Sequence, residues 1–239
     1  MLAQVGMGSR RDMETLIESG RVTVNGKIAA LGARVGPEDV VRVDKRMVKL
    51  QFARVSPRIL IYHKPEGEIV SRADPDGRPS VFDKLPRIQS GKWIAVGRLD
   101  YNTSGLLIFT DSGELANRLM HPRFQVEREY AVRIRGELKP EQIKKLQSGI
   151  RLGDGEAKFE ILEAQGGESS NRWYSVIVTE GRNRLVRRMF EALGFTVSRL
   201  MRVRFGEIRL PSHLRRGKFV ELRQKQAAQV LTWAGGKKS

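Results

Sequence analysis

Between residues 59 and 203 seven strand-like runs are interrupted by helical ones at irregular intervals, and that order restricts the fold more than any other feature. The runs are Ile59 to His63, Trp93 to Val96, Leu106 to Thr110, Glu129 to Ile134, Phe159 to Glu163, Trp173 to Thr179 and Val197 to Val203. They are short and rich in β-branched and aromatic residues, as strands are. Helical spacing is found over Ser112 to Met120, Pro140 to Ser148, Leu185 to Ala192 and Gln224 to Trp233. A doubly wound parallel sheet requires strands and helices in regular alternation, which this order lacks. An α+β domain over 59–239 is expected instead, a mostly antiparallel mixed sheet with helices packed on it.

The first fifty residues read as a separate unit, 1–50. Met13, Leu16 and Ile17 lie at helical spacing within Arg10 to Ser19, Ser9 is available as N-cap, and Gly20 stops the helix. Arg21 to Lys27 then reads as a strand running into an Asn25-Gly26 hairpin turn, and Val40 to Val43 as a further strand. The basic run Lys45 to Pro57, closed by a proline, reads as connecting chain, with the linker between the two units at 51–58. No internal repeat is present.

The charge points to a partner. The chain of 239 residues has 44 Lys and Arg against 27 Asp and Glu, a formal net charge of +17. From Arg182 to Ser239 fifteen basic residues face three Glu, whereas from Met1 to Leu50 nine face six acids. Runs such as Arg202-Val203-Arg204-Phe205 interleave the basic residues with apolar ones. That pattern suits a folded surface tracking phosphates better than a disordered basic tail. There is no cysteine, hence no disulfide framework and no thiolate nucleophile or metal ligand. No apolar run is long enough to span a membrane, and the N-terminus lacks a signal-peptide pattern, so a cytoplasmic protein with no membrane partner is expected. A monomer is expected too, since no heptads are left over for an oligomer interface.

Asp100 lies in the polar segment Gly97 to Gly105, between the strand-like Trp93 to Val96 and Leu106 to Thr110. A loop held by two buried strands keeps a reacting group fixed yet reachable. Three readings of it compete. Asp100, Asn102, Ser104 and Gly105 are all residues chosen for turns. They also fall at positions one, three, five and six of a calcium loop, with Asp111 at twelve, although Ile108 and Phe109 sit where that loop would not be strand-like. The third reading is a catalytic carboxylate.

Gly97-Arg98-Leu99-Asp100-Tyr101-Asn102-Thr103-Ser104-Gly105-Leu106-Leu107-Ile108-Phe109-Thr110 closely resembles the signature of pseudouridine synthases of the small-ribosomal-subunit synthase A class. The resemblance covers nearly the whole chain. It continues through Asp111 to Pro122 and includes Tyr62-His63-Lys64-Pro65-Glu66-Gly67, Arg128-Glu129-Tyr130-Ala131-Val132, and Glu180 to Phe190. Ser9-Arg10-Arg11 and Gly20 to Gly26 resemble the alpha-L RNA-binding module of a ribosomal small-subunit protein and some tRNA synthetases. Members usually carry more residues ahead of Leu2-Ala3, so the first helix of that module reads as cropped to Met1 through Val5.

The resemblance implies the pseudouridine synthase fold, with Asp100 as the essential carboxylate, an ion pair from Arg187 to keep it ionised, and Tyr130 as the ring that stacks on the flipped uracil. It further implies Leu200 as an apolar wall, Arg98 as a holder of the flipped nucleotide's phosphate, and Lys64 as a brace for the loop. Arg10, Arg11, Arg182 and Arg184 are expected to contact RNA. Detail in Asn117 to Pro122 and Glu180 to Phe190 lies nearest members acting on large-subunit ribosomal RNA, free or in a precursor particle. Isomerising uridine moves a glycosidic bond within one nucleotide and transfers no electrons, so no cofactor is needed. No Walker A loop, Rossmann glycine pattern or His/Cys cluster is present, and no metal is expected. The same basic surface on a non-catalytic RNA-binding or ribosome-assembly protein is the alternative.

Overall fold

The computed structural model describes residues 1–50, 56–88, 91–167 and 170–235. Near the N-terminus, helix α1 (Arg10–Glu18) starts with a capping box: Ser9 Oγ accepts from Asp12 N–H, and the Asp12 carboxylate accepts from Ser9 N–H. Gly20, at φ 71°, ends it in the left-handed region. Strands β1 (Val22–Val24) and β2 (Lys27–Ile28) meet at Asn25 and Gly26, which take φ of 51° and 83°, the geometry of a tight hairpin. β3 (Val41–Val43) and β4 (Arg46–Val48) complete a sheet ordered β2-β1-β3-β4. Met13, Val22, Val41 and Val43 are its core, with Leu2 from a short 3-10 turn at Leu2–Val5.

β4 corrects the reading of Lys45 to Pro57 as connecting chain. Asp44 and Lys45 make its two-residue turn at φ 49° and 65°, without the glycine that marks such turns in a sequence. The Asp44 carboxylate accepts two bonds from Arg21, at 2.7 and 2.6 Å, which fix the corner. Of the expected linker 51–58, residues 51–55 lie outside the described residues.

The larger unit carries β5 (Ile59–Lys64), β6 (Ile94–Val96), β7 (Ser104–Thr110), α2 (Gly113–Met120), β8 (Arg128–Arg135), α3 (Pro140–Ser148), β9 (Ile150–Leu152), β10 (Gly155–Ala157) and β11 (Ile161–Ala164). β12 (Asn171–Val178), α4 (Leu185–Glu191), β13 (Val197–Phe205), β14 (Ile208–Arg209), β15 (Phe219–Glu221) and α5 (Gln224–Ala234) follow. Nine strands form one sheet ordered β11-β12-β8-β13-β7-β5-β15, with β6 on β7 and β14 on β13. Every pairing is antiparallel except β13 with β7. The α+β class and the mostly antiparallel sheet are as expected.

Alternating burial decides the faces. Ile59, Ile61, Leu106 and Ile108 pack under α2 and α5, while Leu60, Tyr62, Leu107 and Phe109 face the opposite side with Val81, Trp93 and Leu99. On β8 and β13, Val132, Ile134, Val197 and Leu200 join Phe159, Met189 and Phe190 in a third cluster. Tyr130 touches both the Leu99 cluster and the Leu200 cluster. Between these two hydrophobic bodies, on one face of the sheet, an open cleft of about 930 Å³ runs beside Asp100.

Phe159 departs from the expected strand. Its N–H donates to Leu146 O at 2.9 Å and its ring is fully buried, so β11 begins two residues later. β9, β10 and β15 are three residues each, too short to leave a periodic signal. No helix among the described residues is long and apolar enough to cross a membrane.

Candidate active site

The Asp100 loop is pinned from below. Gly97 turns the chain out of β6 at φ 76°, and Leu99, only 6% exposed, drops its side chain into the cluster of Trp93 and Phe109. A tight turn closes with Thr103 N–H on Asp100 O at 3.0 Å, and Gly67 N–H reaches Tyr101 O at 3.0 Å. Lys64, at the end of β5, is fully buried and donates to the carbonyls of Pro65, Asp100 and Thr103 at 3.0, 3.0 and 2.8 Å. A longer contact of 3.4 Å reaches Tyr101 O. Burial pulls its ammonium down to about 8, while the charges of Glu68, Asp100 and Glu66 pull the other way. With the loop backbone held, the Asp100 side chain stands half-buried on the cleft wall.

Arg187 approaches the loop from α4. That helix is set by Leu185, Val186, Met189 and Phe190, all buried, and by Arg184, which enters it in the left-handed region at φ 49°. The Arg187 guanidinium spends its fork on main-chain carbonyls, with Nη2 donating to Asn102 O at 2.7 Å and Nη1 to Val197 O at 3.0 Å. An ion pair to Asp100 was the expectation; among the described residues no such pair forms within 4.0 Å, because those carbonyls take the fork. Burial lowers the Arg187 guanidinium, Arg184 adds to that, and Asp100 opposes both.

Tyr130 and Leu200 line the same cleft as Asp100 and Arg98, and Arg98 is exposed there. Arg182 and Arg184 also line it. Arg182, expected to contact RNA, is already engaged: Glu180 takes it in two bonds of 2.8 and 2.7 Å, and Asp154 adds a third at 3.1 Å. Arg184 is freer, with Glu191 at 3.4 Å. Arg10 and Arg11 stand exposed on α1, away from the cleft lining.

Two cleft residues escape the sequence reading. Arg128 lies two before Tyr130 on β8, and Arg202 two after Leu200 on β13, so each shares a face with an expected site residue. Across the strands Arg202 pairs with Tyr130 and Leu200 with Val132. The available signal was an arginine at period two from a site residue within a strand run.

The calcium reading does not survive. Ser104 and Gly105 are strand residues, Ser104 Oγ contacts Leu200 O at 3.4 Å, and Asp111 Oδ1 accepts from Arg58 N–H at 2.9 Å. No group of three or more acidic, His or Cys side chains placed for a metal occurs among the described residues.

A loop held at its backbone presents a carboxylate to a cleft that an aromatic ring and several arginines also line. Residues 58–192 match the RNA pseudouridylate synthase family and residues 1–41 the S4 domain. This chain belongs to the RNA pseudouridylate synthase family. It is 54% identical over 228 residues to the ribosomal large subunit pseudouridine synthase B of Pseudomonas aeruginosa, covering 95% of this chain and 59% of that protein. The protein of the same name from Escherichia coli strain K12 is 54% identical over 225 residues, 93% of this chain and 77% of that one. A solved structure described as a crystal structure of pseudouridylate synthase superposes with a TM-score of 0.65 over 96% of both chains at 24% identity, a likeness of fold.

Proposed function

We propose that this protein isomerises a specific uridine to pseudouridine in the 23S RNA of the large ribosomal subunit, with Asp100 as the essential carboxylate. The carrying observation is the half-buried Asp100 on a loop whose backbone is tied down by Lys64 and Arg187, at the wall of a basic cleft. Preorganisation of this kind lets a carboxylate act without the loop reorganising at the moment of reaction. In the reaction the N1–C1′ bond breaks, the uracil turns, and C5 bonds to C1′; the C5 proton leaves and N1 gains one. Atoms and electrons balance within the nucleotide.

Duplex RNA hides its base edges, so the target enters the cleft unpaired or flipped. Tyr130 stacks on the uracil, Leu200 closes its apolar side, Arg98 holds a phosphate, and Arg187 holds the loop through the Asn102 carbonyl. Arg184 extends the phosphate track, and the 1–50 unit supplies Arg10 and Arg11 to RNA beyond the cleft. The 59–239 unit carries the chemistry, the linker at 51–58 joins the two, and the protein works as a monomer in the cytoplasm, on rRNA or a precursor particle. The names of the relatives support the large-subunit substrate.

Incubating the protein with unmodified large-subunit RNA and mapping pseudouridine by carbodiimide-dependent reverse-transcription stops tests this. A new stop with wild type that disappears with Asp100→Asn is expected. No stop with wild type, or an undiminished one with Asp100→Asn, would sink the proposal and favour an RNA-binding role without catalysis.

A further inference from the structure

Arg128 and Arg202 are 9% and 2% exposed, and neither meets a carboxylate among the described ion pairs. Arg128 Nη1 donates to Val126 O and Thr179 O at 3.0 and 2.7 Å. Arg202 Nε donates to Leu106 O at 2.8 Å, while its Nη2 is buried without a partner. Glu180, the acid whose charge reaches Arg128, is held in two bonds by Arg182. In place of an anion both guanidinium groups lie over the Phe205 ring, 5.2 and 5.3 Å from its centre.

Two buried guanidinium groups that meet no acid among the described residues are costly unless something negative arrives. Both guanidinium groups border the cleft, each with a glycine against it that keeps a side chain away. Gly181 faces the Arg128 guanidinium where a Cβ would lie 3.8 Å from Cζ, and Gly97 faces Arg202 where a Cβ would lie 3.9 Å from Nη1. Both glycines and both arginines line the cleft, at the end where the Asp100 loop begins. A uracil carbonyl could accept hydrogen bonds there, but it is neutral and would leave two buried charges uncompensated. A phosphodiester matches both charge and fork.

We propose that Arg128 and Arg202 form an inner phosphate site, which takes a backbone phosphodiester of single-stranded RNA beside the flipped nucleotide. The site rests on the RNA-modifying reading above for its ligand, and it is separate from the exposed Arg98. It draws the strand down toward the sheet, so that the neighbouring base sits between Tyr130 and Leu200.

Hexauridylate is the probe, with its affinity for the full chain measured against potassium chloride concentration. Each single-stranded phosphate contact contributes about 0.7 to the slope of log affinity against log salt. Arg128→Gln and Arg202→Gln should each lower the wild-type slope by about that amount, and Arg128→Lys and Arg202→Lys should keep most of it. A role confined to packing would leave the slope alone. Melting curves accompany each variant, and Arg128→Gln, at the cleft wall, carries the test if Arg202→Gln does not fold. An unchanged slope in a folded Gln variant overturns the site. The outcome separates from the enzymatic reading. Gln variants with the lowered slope and a wild type that makes no pseudouridine lose only the enzyme, while an active wild type whose Gln variants keep the slope loses only the phosphate site.

Discussion

Lys64 is fully buried, and its ammonium bonds the main-chain carbonyls of Pro65, Asp100 and Thr103 rather than a carboxylate. Its proton is therefore held less tightly in the folded protein, near pH 8, than in the unfolded chain at the ordinary 10.5. Between those values the unfolded state binds more protons, so the group's contribution to stability rises with pH across that window. Turnover should move the opposite way. A neutral amine has fewer protons to donate, the carbonyls around Asp100 lose a partner, and kcat should fall as pH passes about 8. Single-turnover rates across that range measure this, and a flat profile contradicts the brace. Arg187 makes a second case at this scale. Arg187→Gln should cut turnover about a hundredfold, the scale of one preorganised electrostatic contact, while RNA affinity changes little. An equal loss of affinity would reassign Arg187 to phosphate binding.

At the scale of elements, the parallel contact of β13 with β7 sets the position of the loop. Gly105 lies at φ 107°, and a Cβ there would come within 2.2 Å of Arg202 O and 2.6 Å of Arg202 N. Only glycine lets the two backbones approach so closely. Gly105→Ala should cost about 1–3 kcal/mol from overpacking, read by chemical denaturation, and should lower turnover further by displacing the loop. Unaltered stability would mean that the strands part without cost. Strands β5 and β7 were legible because their apolar runs are long enough to show a period. β15, which covers the edge of β5 with Phe219, Val220 and Glu221, was not, since three residues following a basic turn carry no period of their own.

Across the whole molecule, on the proposed function, a net charge of +17 attracts a polyanion at a distance and the cleft selects among RNA segments. The two units divide this work in a way that kinetics can read. Replacing Arg10 and Arg11 together by Ala should weaken RNA binding and raise KM, yet leave the saturating single-turnover rate within about twofold, since a loss of uniform binding spares kcat. A matching fall in the saturating rate would show that the small unit positions the reacting nucleotide itself.

Most of the candidate site residues were within reach of the sequence, Arg128 and Arg202 excepted, because their signals are local. The Ser9 cap, the Asn25-Gly26 turn and the polar loop between two apolar strands each fit inside a window of a few residues. The order of motifs around Asp100, Tyr130 and Arg187 added the family. What those residues touch was decided only in three dimensions. Register across β8 and β13 puts Arg202 opposite Tyr130, residues some seventy positions apart in the chain. The fold turns Arg187 from Asp100 to the Asn102 carbonyl, ties Arg182 to Glu180 and Asp154, and leaves Arg128 and Arg202 without an acid among the described residues. Partner choice among buried charges depends on which strands pair and at what offset, and no short stretch of sequence contains that information.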